Sequence, residues 1–227
     1  KGCHLFIEKP LSSNLYNIGR LKKIVKENDL ICRVGQQFRF HKFTSIIKDY
    51  INNKVIGEIS SAEFIYKEYL PGMHPYEDYK ASHASHTNRG GGVVLSLNHY
   101  IDIVCYFFGY PDEIVCFGGT NGNLDISVED TVTIIFNYEK EKGKNNTVTI
   151  ILDFITRPKQ MSWSITAEHG SINVDFIKNT LCFNDYKNDI INKIITQNNV
   201  SRNDLFIDEQ KEYFDLIQNQ TTHNGFF

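Results

Sequence analysis

The sequence predicts an α/β unit followed by an α+β domain on a large, mostly antiparallel open sheet. Residues 4–38 alternate strand, helix and strand with short connections, and such a unit pairs its strands in parallel. After residue 112 apolar and polar residues alternate in one run after another, as strands with a single buried face do. The change of texture places a boundary near residues 38–42, giving expected domains of 1–40 and 41–227.

Element by element, residues 4–8 read as a short buried strand, stopped by Pro10, which has no N–H to donate. In "PLSSNLYNIGRLKKIVKEND", Leu15, Ile18, Leu21, Ile24 and Val25 recur at helical spacing, with Ser12 or Ser13 as the expected cap. "LICRVGQQF" is the next strand. A helix over roughly 42–53 carries Phe43, Ile46, Ile47 and Ile51 on one side and stops before Gly57. "EISSAEFIYKEYL" is strand-like, a long polar and aromatic loop follows, and a helix runs from about Ser96 to Phe108. "VEDTVTIIFNY", "NTVTIILDFI", a hairpin in "MSWSITAEHGSINVDF" turning at His169-Gly170, and "TLCFND" supply the later strands. "KNDIINKIITQNNVSRND" reads as loop with some helix, and a final helix over about 207–219 is expected to bury Tyr213, Phe214 and Ile217.

Composition narrows the class. In 227 residues, 41% are hydrophobic and 22% charged, with a formal net charge of −3, as in ordinary globular proteins. Basic residues are dispersed, which argues against a nucleic-acid partner, and no apolar run reaches the ~18 residues of a membrane span. The five cysteines are widely spaced, three of them inside apolar runs, and are expected to be buried, reduced thiols of a cytoplasmic protein. Gly2 before the first strand has the character of a helix end, so the chain is expected to be the back part of a longer protein.

Three stretches carry candidate chemistry. The first is "EKP", Glu8-Lys9-Pro10. A lysine at the carboxyl end of a parallel strand points into the crevice where α/β sheets bind ligands, and partial burial would lower its pKa toward proton-transfer range. A surface salt bridge at a strand end is the alternative. The second is "NRGGGVVLSLNHYIDIVCYFFG". No strand precedes Gly90 and no Lys-Ser/Thr follows, so the glycines suit close backbone approach to a ligand or neighbouring segment better than a phosphate loop. His99 and Asp102 share one helix face, where a carboxylate can fix the imidazole tautomer; a capping histidine on a packing helix is the alternative. The third is the loop "YLPGMHPYEDYKASHASH", suited to a polyhydroxylated ligand or to an ordered surface. Its His74, His83 and His86 match no zinc spacing, so no metal is expected. "VCFGGTNGN" lacks the helix a dinucleotide loop requires. Sequons at Asn145, Asn199 and Asn219 carry little weight in an Asn-rich chain.

Taken in order, "HLFIEKPLS", "VGQQFRFHK", "KVIGEI", "HPYEDYKAS", "RGGGVVLSLNHYIDIVCYFFG", "VEDTVTIIF", "FITRP" and "AEHGSINVDF" resemble the glucose–fructose oxidoreductase / inositol dehydrogenase / MocA family of nicotinamide-dependent sugar oxidoreductases. The resemblance runs along nearly the whole chain. It implies that residues 1–40 are the last strand–helix–strand of a Rossmann domain and 41–227 a substrate-binding and oligomerisation domain. The implied reaction is hydride transfer between NAD or NADP and a sugar, sugar derivative or nucleotide-sugar. Lys9 would be the acid/base, with His99 as its partner or alternative. Glu8, Lys9 and Pro10, and more weakly Arg39, would contact the cofactor; His74, Tyr79, Asn98 and Asp102 would contact substrate or orient His99. The implied partners are a small-molecule substrate and other copies of the chain, as a dimer or tetramer through the C-terminal sheet, with no nucleic acid or membrane. Relatives often carry an Asp three or four residues before the histidine; Ser96 stands there and cannot ionise. The family's G-x-G-x-x-G turn is absent from the sequence, so these residues alone are not expected to hold a dinucleotide tightly. A non-catalytic sugar-binding or sheet-assembly module is the competing reading.

Overall fold

The computed structural model describes residues 2–140, 145–197 and 201–219. In chain order the elements are β1 (Leu5–Ile7), α1 (Ile18–Glu27), β2 (Cys32–Val34), α2 (Lys42–Asn52), β3 (Ile59–Lys67), α3 (Leu70–Met73), α4 (Val93–Ser96), α5 (His99–Phe108), β4 (Glu113–Gly119), β5 (Thr131–Glu139), β6 (Asn145–Asp153), β7 (Gln160–Ala167), β8 (Gly170–Asp175), β9 (Thr180–Asp185), β10 (Ile190–Thr196) and α6 (Arg202–Gln218). They fall into two compact units, one within Lys1–His41 and Val200–Phe227, the other within Lys42–Asn199.

In the first unit β1 and β2 pair in parallel, with Leu5 opposite Cys32 and Ile7 opposite Val34. Helix α1 connects them and starts later than its apolar spacing suggests. Asn17 precedes it in the left-handed region at φ 62°, with no side-chain cap. Ser12 instead accepts the N–H of Asn14 in an exposed bend, and Leu15 is 89% exposed. The strands are also shorter and less buried than expected, and "QFRF" after β2 forms a 3-10 turn. Helix α6 completes this unit, whereas the expected division placed it in 41–227. Tyr213 meets Phe6 edge-on with ring centroids 5.4 Å apart, and Glu212 holds Arg33 at 2.9 Å. Of the residues expected inside, Tyr213 is buried, Ile217 half-buried, and Phe214 55% exposed.

The second unit is an eight-stranded sheet in the order β10-β9-β8-β7-β3-β6-β5-β4, antiparallel except where β3 meets β6. Val132, Ile134 and Phe136 of β5, Val148, Ile150 and Leu152 of β6, and Trp163 and Ile165 of β7 form one buried face, the alternation legible in the sequence. Helix α5 covers that face with Tyr100, Ile103, Val104 and Phe107, and α2 adds Phe43 against Phe176 and Tyr50 against Phe183. Trp163 is the hub, with its ring 5.5 Å from Phe64, 5.7 Å from Phe107 and 4.6 Å from Phe176. The other face is Ser-, Thr- and Asn-rich, so one side of the sheet is apolar and the other polar.

Two expectations are corrected here. The Asn- and Lys-rich stretch from 187, read as loop with some helix, contains β10; Asn199 and the rest of 198–200 lie outside the described residues. Strand β10 is at the edge of the sheet and bulges between Ile190 and Lys193, with Asn192 left-handed at φ 53° and its N–H on Asn184 Oδ1 at 2.7 Å. Polar residues and a bulge are what edge strands use against unwanted pairing, and they mask the strand signal. Among the cysteines, Cys32 is buried, Cys105 and Cys182 are half-buried, and Cys3 and Cys116 are exposed; Cys116 is exposed because its apolar run forms the other edge strand, β4. No single helix among the described residues is long and apolar enough to cross a membrane; Thr87–Ser96 and His99–Phe108 reach that length only together, bent by 46°.

Candidate functional site

The first unit places Glu8, Lys9 and Pro10 immediately beyond β1, at the carboxyl end of a parallel pair, with the Lys9-Pro10 peptide cis. Glu8 is exposed and Lys9 half-buried. Burial lowers the Lys9 pKa from its ordinary value; the nearby Glu8 carboxylate opposes this and Arg202 of α6 adds to it. Arg39 stands on the 3-10 turn Gln37–Phe40 that follows β2, its N–H donating to Gln36 O at 3.0 Å. The Gln36 side-chain oxygen is buried with no hydrogen-bond partner among the described residues.

In the second unit the helix expected from about Ser96 to Phe108 is α5, beginning at His99; Leu97 and Asn98 separate it from the short α4 before it. Ser96 ends α4, and His99 begins α5, 6% exposed. Asp102 lies one turn further on, half-buried, its N–H on Asn98 O at 3.0 Å. Asn98 Oδ1 is a buried acceptor without a partner among the described residues. His74 and Tyr79 sit apart on the loop, with local partners: the Tyr76 hydroxyl lies 2.8 Å from His74 Nδ1, and the Tyr79 hydroxyl accepts the N–H of Asp125 at 3.4 Å.

The sequence reading missed the polar group beside His99. The imidazole meets the Tyr66 ring edge-on, with centroids 5.7 Å apart. The Tyr66 hydroxyl donates to Glu68 at 2.8 Å and accepts from Lys159 at 3.1 Å, and Lys159 pairs with Glu68 at 2.9 Å. Burial pushes the Tyr66 phenol up, while for Lys159 the opposing pull of Tyr66 and Glu68 outweighs burial and raises its pKa. Tyr66 and Glu68 alternate with Phe64 on one face of "EFIYKE", so their shared side was readable from the strand period; Lys159 was not, being contributed across the sheet.

Both glycine-rich stretches bind the protein's own acids. Behind Gly92, at φ 107°, Glu129 accepts the N–H of Val94 at 3.1 Å, and a Cβ on Gly92 would stand 2.3 Å from its carboxylate. A Cβ on Gly91 would meet His83 O at 2.5 Å, so this run serves close approach to neighbouring segments. In "FGGTNGN" the buried Asp130 takes the N–H groups of Asn121 and Gly122 at 2.8 Å each. The amides that a phosphate would need are occupied. Among the described residues no group of three or more His, Cys, Asp and Glu is placed to hold a metal ion.

Comparison with known proteins bears on the same segments. The sequence is 29% identical to the myo-inositol 2-dehydrogenase of Thermotoga maritima over 118 residues, 52% of this chain and 32% of that protein. The chain thus matches about a third of that relative's length. A levoglucosan dehydrogenase, solved with NADH and levoglucosan, superposes with a TM-score of 0.81 at 16% identity over 96% of this chain and 65% of that one. An inositol dehydrogenase homolog from Azotobacter vinelandii, solved with NADH and myo-inositol, gives a TM-score of 0.70 at 15% identity over 86% of this chain and 50% of that one. The fold is therefore shared with both. Residues 45–173, which hold the whole His99 helix pair and the central strands, match the GFO/IDH/MocA C-terminal domain, and the chain belongs to that family.

Proposed function

We propose that this chain, in its full reading frame, is part of an NAD- or NADP-dependent oxidoreductase acting on a sugar, sugar derivative or nucleotide-sugar. The observation that carries the reading is Lys9, half-buried at the carboxyl end of a parallel strand with its pKa lowered by burial, in a member of this family. The residues present fit one end of such a cofactor. The Gln36 acceptor, without a partner among the described residues, and the Glu8 carboxylate at neighbouring strand exits suit the amide and hydroxyls of a nicotinamide riboside, and Arg39 is a further candidate contact. They do not supply a pyrophosphate cradle, since the sequence has no G-x-G-x-x-G.

The bound dinucleotide supplies hydride exchange at the nicotinamide C4. Lys9 would take the proton of the substrate hydroxyl in oxidation, or give one to the carbonyl oxygen in reduction, which its lowered pKa favours. Within the sheet unit His99 is the candidate acid/base, with Asp102 one turn along as its orienting carboxylate. The buried Asn98 oxygen can accept a substrate hydroxyl, and Tyr66, held by Glu68 and Lys159, offers a polar wall beside the imidazole. His74 and Tyr79 are candidate outer contacts. A cytoplasmic setting and a dimer or tetramer complete the proposal. The polar sheet face, where Asn173, Ser164, Glu63, Thr149 and Ile135 stand in one cross-strand row, is the surface for self-association. A bulky Ser164→Arg change is expected to shift the mass seen by light scattering to the monomer.

The test is dinucleotide reduction by the full reading frame with a panel including myo-inositol, levoglucosan and nucleotide-sugars. Activity is expected on at least one, falling by about 10²–10⁴ in Lys9→Ala. An undiminished Lys9→Ala enzyme would remove the mechanism. Sugar binding with no turnover would favour the non-catalytic module.

A further inference from the structure

The exit of β2 is held by a carboxyl from the far end of the sequence. Glu209, at the middle of α6, is buried, and its Oε1 accepts the backbone N–H of Gln36. At Gly35, one residue earlier, a Cβ would lie 3.5 Å from Glu8 Oε2, so the exits of β1 and β2 are in contact. Two other acids act on Glu209, namely Glu8 from the β1 exit and Glu212 from α6 itself, against one cation, Arg33 of β2. That cation is already engaged, 2.9 Å from Glu212.

We propose that Glu209 is a positioning residue, whose buried carboxyl fixes the Gly35-Gln36 exit of β2 against Glu8 and so sets the strand end that bears Lys9. This deepens the reading of Glu8 and Lys9 given above and rests on it for its link to catalysis. The environment gives the carboxyl an unusual state. Burial, with Glu8 and Glu212 adding to it, pushes Glu209 up to about 7, against the pull of the Gln36 N–H and Arg33. A group that merely paired with a cation would stay ionised across this range. Glu209 changes charge near neutrality while bonded to the backbone, so the strand exit reports its protonation.

The experiment follows the Gln36 backbone amide by nitrogen-15 NMR in the 227-residue chain from pH 5 to 9, with no dinucleotide present. In the wild type the Gln36 signal is expected to move with a midpoint near 7, and the Glu8 amide to follow it. Glu209→Gln keeps an acceptor and loses the charge, so both signals should stay fixed. Glu209→Ala should speed exchange of the Gln36 N–H by about tenfold or more. A Gln36 signal that is flat in the wild type, or titrates alike in Glu209→Gln, overturns the proposal. A Glu8 amide that stays still while Gln36 moves overturns the link to the strand end. If the alanine variant does not fold, the glutamine variant decides alone. The nicotinamide reading fails separately, through an NADH affinity that Glu8→Gln leaves unchanged in the full reading frame.

Discussion

The sheet unit is filled by Trp163, Phe64, Phe107 and Tyr100, while the smaller unit packs Phe6 and Tyr213 beside Arg33, Glu209 and Glu212. Both contain parallel strands, but their interiors answer differently to solution conditions. Aromatic burial depends on area removed from water and is indifferent to pH. An interior that contains a titrating carboxyl gains and loses stability as protons bind. One sequence thus combines an aromatic core whose own contribution is indifferent to pH with a strand-end unit that holds a titrating carboxyl.

The sharpest way to break that contrast is to remove the aromatic hub. Trp163→Ala should cost about 3–5 kcal/mol in urea unfolding followed by circular dichroism, with no change in this loss between pH 5 and 8. A smaller loss is expected from Asp130→Ala. It strands the N–H groups of Asn121 and Gly122 and the Thr131 hydroxyl, and should cost about 2–3 kcal/mol in the same unit. Glu209→Gln tests the other side with the opposite sign. Below about 4.5 the group is protonated in folded and unfolded chains alike; between 4.5 and about 7 only the unfolded chain sheds its proton, so the contribution of Glu209 to stability falls as pH rises, and above 7 the loss is complete. The glutamine variant should therefore match the wild type at pH 4 and exceed it by about 1–3 kcal/mol at pH 8, read from melting of the β1–β2 unit. Ser201→Ala removes the side chain that accepts the N–H of Asn203 at the start of α6 and should cost about 1 kcal/mol at every pH. Lys23→Ala, which deletes an exposed 3.7 Å pair with Glu27, should change stability by less than about 0.5 kcal/mol.

What could be read without coordinates follows the same divide. The alternation in β5, β6, β7 and β8 is dictated by one buried face, so sequence period and structure coincide. Strand β10 was hidden because an edge strand needs no apolar face and its bulge shifts the period. The α1 cap departs from the expected Ser12 or Ser13 because Ser12 has its partner inside its own bend and the helix begins at Ile18. The Glu8-Lys9-Pro10 strand end was visible as three adjacent letters. Glu209 was not, since neither helical spacing nor local charge marks a residue whose partner is Gln36. Glu129 and Asp130 were similarly masked: glycines invite a ligand reading, and nothing local says that an acid from another segment has filled the loop.

The two ends of the described chain share the smaller unit, and this fixes an order of manufacture. Strands β1 and β2 leave the ribosome before the sheet does, but Phe6, Arg33 and Gln36 find their partners only on α6, after the whole eight-stranded sheet has been made. At roughly 5–20 residues per second that is on the order of ten seconds or more of waiting. During that interval the strand end bearing Lys9 lacks the helix that closes it.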